Sequence, residues 1–197
     1  MPGISGTHVS MRRATSPIST LLITGIFAAV LSCTSPSTPP TAPPGTPTPA
    51  LKQLSTSDIP KLEKQLHDRI NKERTRRGLP TMRWDDARGR IAGKHSRDMA
   101  TSKYSSHTSP EGHGYSYRYM KAGYACGVTV NGVLRRGAEN IYRISPDGGG
   151  DIAEATVRGW MQDREDRKNI LSEPWSREGI GICTGQDGVL YITLNFC

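Results

Sequence analysis

Residues 177–197 read REGIGICTGQDGVLYITLNFC. Apolar residues alternate with other residues over 179–184 and again over 189–196, which is the pattern of half-buried β-strands. The intervening GQDG at 185–188 has the composition of a hairpin turn. The chain is therefore predicted to end in an antiparallel β-hairpin.

The segments before this hairpin have mostly helical patterns. Ile59, Leu62, Leu66 and Ile70 recur at the spacing of one helix face. A further strand near 128–134 or 140–144 would complete a small sheet. Helices followed by late strands predict an α+β domain in which a sheet lies between helical layers. The predicted helices are 58–77 with Ser57 as N-cap, a helix capped by Asp85 that ends near Ser102, 115–122, 151–162 and a short turn at 166–171.

The first 33 residues have the pattern of a lipoprotein signal peptide. Arg12 and Arg13 form a positive segment, and Ile18–Leu31 is a mostly apolar run of fourteen residues. That run is shorter than the ~20 residues that span a bilayer and suits the apolar core of a signal peptide. Residues 30–33 read VLSC and resemble a bacterial lipobox, in which the peptide is cut before an acylated Cys33. Ordinary secretory cleavage near Cys33 and an uncleaved anchor are the alternatives.

Residues 34–54 are rich in Pro, Thr and Ser, and they are predicted to form an extended, solvated tether. Residues 55–197 are long enough for one domain with its own core. The formal net charge of +8 falls to +6 when Arg12 and Arg13 are removed with the signal peptide. In an exported protein this charge favours an anionic envelope surface, or simple solubility, over nucleic acid.

Three short motifs lie between the second helix and the hairpin. They read HSRDMA with YSSHTSPEG at 95–100 and 104–112, GAENI at 137–141, and WMQDREDRKNIL at 160–171. Their order and wording resemble the CAP superfamily of cysteine-rich secretory, antigen 5 and pathogenesis-related proteins, most closely its bacterial SCP-like branch. The resemblance runs from about Leu62 to Cys197. It implies a three-layer α-β-α sandwich with a small antiparallel sheet, in agreement with the order of the predicted elements.

The resemblance also implies a central cleft that can hold a divalent cation. His107 and Glu139 match one histidine and one acidic residue of the family's cleft, and Asp163 is a looser match to a second acidic position. Asp166 stands where a second histidine is expected. One imidazole among carboxylates favours Ca, Mg or Mn over Zn. A salt-bridge cluster or an empty cleft is the alternative to a bound cation.

Cysteine usage leaves the disulfide pairing open at first. If Cys33 is acylated, three thiols remain in an oxidising compartment, which allows one bridge with one cysteine left over. The family resemblance favours Cys126–Cys197, with Cys126–Cys183 as the alternative.

Two features of the second predicted helix allow two interpretations each. His95 is predicted to be a core histidine bonded to backbone, with a position in the cleft as the alternative. Gly89 and Gly93 are unfavourable in a helix and indicate either close packing or a local weakness.

These patterns favour a binding or interaction module over an enzyme. HExxH, P-loop and GxSxG motifs are absent from the sequence. We expect an exported protein of the cell envelope, held at the membrane (the outer membrane, if there are two) by lipid on Cys33 or else secreted. A lipid, an envelope polymer or a protein is the expected ligand. The alternative is a metal-assisted hydrolase or peptidase that uses Glu139 and His107.

Overall fold

The computed structural model describes residues 54–130, 132–145 and 150–197. They lie within the compact unit formed by residues 47–197. The predicted signal peptide, the predicted acylation site Cys33 and the predicted tether up to residue 53 lie outside the described residues. None of the described helices is both long enough and apolar enough to cross a bilayer.

All five α-helices of the described part of the chain come before the last two strands. A 3-10 turn at Thr56–Asp58 precedes the first helix. The helices are α1 (Ile59–Thr75), α2 (Asp86–Ser102), α3 (Tyr115–Lys121), α4 (Ile152–Gln162) and α5 (Arg164–Ile170). The strands are β1 (Arg83–Trp84), β2 (Val128–Val130), β3 (Val133–Arg135), β4 (Ala138–Ile144), β5 (Arg177–Thr184) and β6 (Leu190–Phe196).

The main sheet has the order β1-β5-β6-β4. Strands β5 and β6 form the predicted hairpin, and β4 pairs antiparallel with β6. The expected small antiparallel sheet is therefore present, and the short strand β1 adds a parallel pairing with β5 at one edge. Both segments considered for a further strand contain strands: residues 138–144 join the main sheet, and 128–130 pair with 133–135 as the separate β2–β3 hairpin.

Helices cover both faces of the main sheet, which gives the expected α-β-α sandwich. On one face, α1 and α4 enclose the main apolar core around Trp160, Ile192 and Leu194, which are fully buried. On the other face, α2 packs against β5 and β6. The strand register places Glu139, Asn195 and Gly179 side by side on this second face. The site described below lies on it.

Glycines allow α2 to approach the sheet closely. A Cβ atom on Gly181 would lie 2.0 Å from the backbone nitrogen of Gly93, and one on Gly179 would lie 2.2 Å from that of Gly89. Such distances exclude any side chain on β5 at these two positions unless the helix moves away. On the helix side, a Cβ on Gly89 would lie 3.2 Å from the Ile180 carbonyl oxygen, which supports the close-packing interpretation there, whereas one on Gly93 would lie at an ordinary 3.9 Å from the Gly181 Cα.

Side-chain caps fix the starts of α2 and α4 where the sequence predicted them. The Asp85 carboxylate accepts a hydrogen bond from the Arg88 amide, and Asp151 accepts one from the Glu154 amide. The expected cap at Ser57 is wrong. Ser55 instead caps the preceding 3-10 turn and exchanges hydrogen bonds with Asp58 in a capping box, because the chain is already helical at Ser57.

A disulfide joins Cys126 to Cys197, the pairing favoured from the family resemblance, and Cys183 is free. The bridge ties the segment after α3 to the end of β6. It packs in a second, smaller cluster with Ile91 and Tyr119. The segment that precedes the GAENI motif is thereby fixed to the sheet.

Candidate functional site

Glu139 is the centre of the candidate site. It lies on β4 opposite Asn195 of β6, and its side chain is completely buried. An ionised carboxylate in such a place needs charged or hydrogen-bonding partners. The groups around Glu139 therefore determine what the site can do.

His107 reaches Glu139 from the loop between α2 and α3. Its Nδ1 lies 3.1 Å from the Glu139 Oε1 atom, and about half of its side chain is exposed. Because a carboxylate only accepts, Nδ1 carries the proton and the neutral ring keeps its Nε2 lone pair for another partner. The hydrogen bond to Glu139 raises the pKa of His107, and partial burial opposes that rise.

Arg118 on α3 is the second partner of Glu139. Its guanidinium donates to Glu139 Oε2 at 2.7 Å, and it also donates to the backbone carbonyls of His113 at 2.9 Å and His107 at 3.1 Å. It thus neutralises the carboxylate and fixes the loop that carries His107. Arg118 was not predicted from the sequence, because its only sequence signal is an arginine within a run of tyrosines.

Asn195 completes the hydrogen bonds around the carboxylate. With its amide oriented to suit both neighbours, its nitrogen donates to Glu139 Oε2 at 3.2 Å and its oxygen accepts from the Ala92 amide at 3.3 Å. Asn195 was not predicted from the sequence either, because the LNFC segment has only the pattern of a strand. Both carboxylate oxygens therefore have partners: His107 at Oε1, and Arg118 and Asn195 at Oε2.

His95 combines the two roles considered for it. Its Nε2 donates to the Ser106 carbonyl at 3.0 Å, as expected of a core histidine, and lies 3.9 Å from Glu139 Oε1. Burial lowers the pKa of His95, and the nearby Glu139 opposes this. His95 is thus a neutral support for the loop before His107.

The two aspartates assigned from the family resemblance have different positions. Asp163 caps α5 by accepting from the Glu165 and Asp166 amides at 2.8 and 2.9 Å. Burial raises the pKa of Asp166 to about 6, and the charge of Asp163 adds to this while that of His107 opposes it. Asp166 is thus close enough to interact electrostatically with His107, whereas Asp163 acts as a helix cap.

The asparagines of the two motifs connect them. The Asn140 side chain donates to the Asp166 carbonyl at 3.0 Å and accepts from Asn169 Nδ2 at 2.9 Å. GAENI and the NIL segment after α4 are therefore joined by hydrogen bonds between side chains and backbone. This explains why asparagine occurs in both motifs.

The residues around Glu139 do not fit a divalent cation. Across 54–130, 132–145 and 150–197, no group of three His, Cys, Asp or Glu side chains is arranged to hold a metal ion. The Arg118 guanidinium also occupies one side of the Glu139 carboxylate, where it would repel a cation.

A cleft of about 490 Å³ opens beside His107 and Glu139. This volume is within the usual range for small-molecule sites. The β2–β3 hairpin and the residues that follow it form one wall. The lining residues are His107, Tyr115, Val133, Leu134, Arg135, Arg136, Gly137, Ala138, Glu139, Asn169 and Trp175.

A second buried histidine–carboxylate pair lies on the opposite face of the sheet. His67 Nδ1 is 2.6 Å from Glu178 Oε1, and the Glu178 side chain is completely buried. Burial raises the pKa of Glu178, and the hydrogen bond from His67 opposes this. Asn71, whose amide is fixed by the backbone of Met82, lies 3.2 Å from His67 Nε2. The pair thus links α1 to β5.

Comparison with known proteins finds relatives of the same domain. Two curated Bacillus subtilis proteins, the uncharacterized membrane protein YlbC and the uncharacterized protein YkwD, are each 29% identical over 120 and 125 residues. These matches cover 61% and 64% of this chain but only 31% and 44% of the relatives, so the chain spans less than half of their length.

Solved structures share the fold. An extracellular SCP-domain protein from Bacillus anthracis is 26% identical with a TM-score of 0.59, and the match covers 73% of this chain and 43% of that one. An outer surface protein of Borrelia burgdorferi, at 15% identity and a TM-score of 0.56, covers 69% of this chain and 91% of its own. The pattern that defines the family described as "CAP: Cysteine-rich secretory protein family" matches residues 67–196. With two thirds of its length matched, including His107, Glu139 and the last strand, the chain belongs to the CAP family.

Proposed function

We propose that this protein is an exported binding or interaction module of the bacterial cell envelope, held at the membrane by an acylated Cys33. In this proposal a ligand occupies the cleft beside His107. The description of the Bacillus anthracis relative as extracellular and of YlbC as a membrane protein supports this location. The lipobox at 30–33 and the tether that follows supply the means of attachment.

The arrangement of Glu139 is the observation that carries the proposal. A general base must come within hydrogen-bond reach of the water that it activates. The Glu139 side chain is completely buried, and its oxygens already accept from His107 and Arg118. This favours a role in which Glu139 holds His107 in place, and His107, which is half exposed, contacts the ligand.

Two experiments test the location and the cleft separately. Cell fractionation of the full-length protein and its Cys33→Ser variant tests the anchor. We expect Cys33→Ser to move the protein from the membrane fraction to the soluble fraction. An unchanged distribution would contradict acylation at Cys33.

For the cleft, equilibrium binding is measured against envelope lipids, soluble envelope glycans and an envelope protein extract. His107→Ala should weaken the binding of the true ligand class, whereas His113→Ala, a change of the same type six residues away, should not. A hydrolysis screen on the same compounds accompanies it. Turnover that both His107→Ala and Glu139→Ala abolish would replace the binding proposal with the hydrolase alternative.

A further inference from the structure

Exposed large apolar side chains are concentrated at one end of the domain. In the described part of the chain, the large hydrophobic residues with open side chains are Met120, Val133 and Leu134, which are 66%, 58% and 53% exposed. Met120 lies on α3, and the other two lie on β3. Arg136 lines both the cavity beside Met120 and the cleft beside Val133 and Leu134, so these segments adjoin.

The β2–β3 hairpin is a two-stranded sheet separate from the main sheet. Successive side chains of a strand point to opposite faces, so Val133 and Leu134 face opposite ways. All three β3 residues are nevertheless exposed, and the hairpin pairs with neither edge of the main sheet. Both faces of β3 therefore keep exposed apolar surface, although Val133 and Leu134 also line the cleft.

The charge of this region has one sign. Residues 112–138 contain no Asp or Glu. They contain Arg118, which is held by Glu139, and the exposed Lys121, Arg135 and Arg136. Apolar side chains beside basic residues, with no acidic residue among them, match the interfacial layer of an anionic bilayer, where phosphates lie above acyl chains.

We propose that this surface, the hairpin patch formed by Met120, Lys121 and Val133–Arg136, docks on an anionic phospholipid bilayer. Arg135 and Arg136 contact lipid phosphates, while Val133 and Leu134 enter the interface. The proposal rests on the proposed envelope function, because that location supplies the anionic bilayer. A soluble anionic polymer would engage the arginines but would gain little from the two apolar side chains. This difference separates the two partners.

The test measures binding of the full-length Cys33→Ser protein to vesicles, so that acylation plays no part. One set of vesicles is phosphatidylcholine alone, and the other is an equal mixture with phosphatidylglycerol. All variants share the same first 53 residues, so any contribution of that segment is common to them. We expect binding to the anionic vesicles that weakens as salt is added.

Three paired substitutions locate the contact. Arg135→Ala/Arg136→Ala should lower the partition coefficient about 30-fold, roughly fivefold for each arginine near an anionic surface. Val133→Ser/Leu134→Ser should lower it about tenfold through lost apolar burial. Arg76→Ala/Arg158→Ala is the control, since it removes the same charge from the surface of α1 and α4 and should change binding less than about threefold. Arg135→Lys/Arg136→Lys, which keeps the charge, should retain most of the binding.

Either of two results would overturn the proposal. If both arginine pairs reduce binding equally, the attraction is diffuse and the hairpin patch is not a docking surface. If Val133→Ser/Leu134→Ser binds like the parent, no apolar side chain enters a bilayer, and an anionic polymer becomes the better partner. Vesicle binding is measured independently of the cell fractionation that tests acylation at Cys33. Failure of the anchor and failure of the hairpin patch can therefore be told apart.

Discussion

Arg118→Met tests whether the candidate site depends on compensating a buried charge. Methionine keeps helix propensity and much of the side-chain length, but it removes the guanidinium that lies 2.7 Å from Glu139 Oε2. Removing one partner of a buried ion pair costs about 3–5 kcal/mol. Since His107 and Asn195 remain as partners of Glu139, we expect a loss near the lower end, about 3 kcal/mol. For a domain of this size that lowers Tm by about 10 °C.

The loss should depend on pH. Arg118 holds down the pKa of His107, so its removal raises that pKa further. Protonated His107 then replaces part of the missing charge beside Glu139. The free energy of unfolding should therefore fall less at about pH 6 than at about pH 8.5, where less of His107 is protonated. Urea denaturation at both pH values measures this difference.

Two further variants complete the experiment. Arg158→Met removes an arginine that lies 3.9 Å from Glu154 with both side chains exposed, and it should cost less than about 0.5 kcal/mol. Arg118→Met/Glu139→Gln removes both charges and should recover more than half of the loss. If Arg118→Met costs no more than Arg158→Met, the compensation argument is wrong.

Three other predictions follow from the same geometry. Glu139→Gln should lower the pKa of His107, which NMR titration measures, and an unchanged titration would contradict the 3.1 Å contact. In the parent protein, the stability contributed by protonated His107 is complete below about pH 6.5 and is lost as the pH rises through the raised pKa. Gly181→Ala should lower the free energy of unfolding, measured by urea denaturation, by at least about 3 kcal/mol, because its Cβ would lie 2.0 Å from the Gly93 nitrogen. Gly93→Ala should be neutral or stabilising, because its Cβ would lie 3.9 Å from the Gly181 Cα. Ca, Mg, Mn or Zn should leave Tm unchanged, since a guanidinium already pairs with Glu139; a rise in Tm that His107→Ala abolishes would contradict this.

The elements that periodicity and capping determine locally could be predicted from the sequence. The helix that begins after Asp85 and the β5–β6 hairpin are examples, because their signals lie within a few residues. Strand β1 was missed because two residues are too few to show alternation, and it forms only by pairing with β5. The cap at Ser57 was wrong because a 3-10 turn extends the helical segment by three residues.

The site was predictable only in part. His107 and Glu139 were assigned through family motifs, and the structure brings them within hydrogen-bond distance. Arg118 and Asn195 carry no local signal of their own. They reach Glu139 because the Arg118 side chain extends from α3 to the carboxylate and because strand pairing places residue 195 opposite residue 139. Contacts of this kind depend on tertiary packing, which spacing along the chain does not show.

The sign of the charge in the cleft limits what the site can bind. The charged residues of its lining are Arg135, Arg136, Glu139 and the titratable His107. Arg118 already cancels the single carboxylate, so the arginines of the hairpin set the charge that a ligand meets. Protonation of His107, whose pKa is raised, adds to the same sign. A divalent cation would therefore enter against repulsion, whereas an anionic or neutral group would meet attraction from Arg135 and Arg136 and a hydrogen-bonding partner in His107. The cleft and the hairpin patch thus favour the same class of ligand, because they share these two arginines.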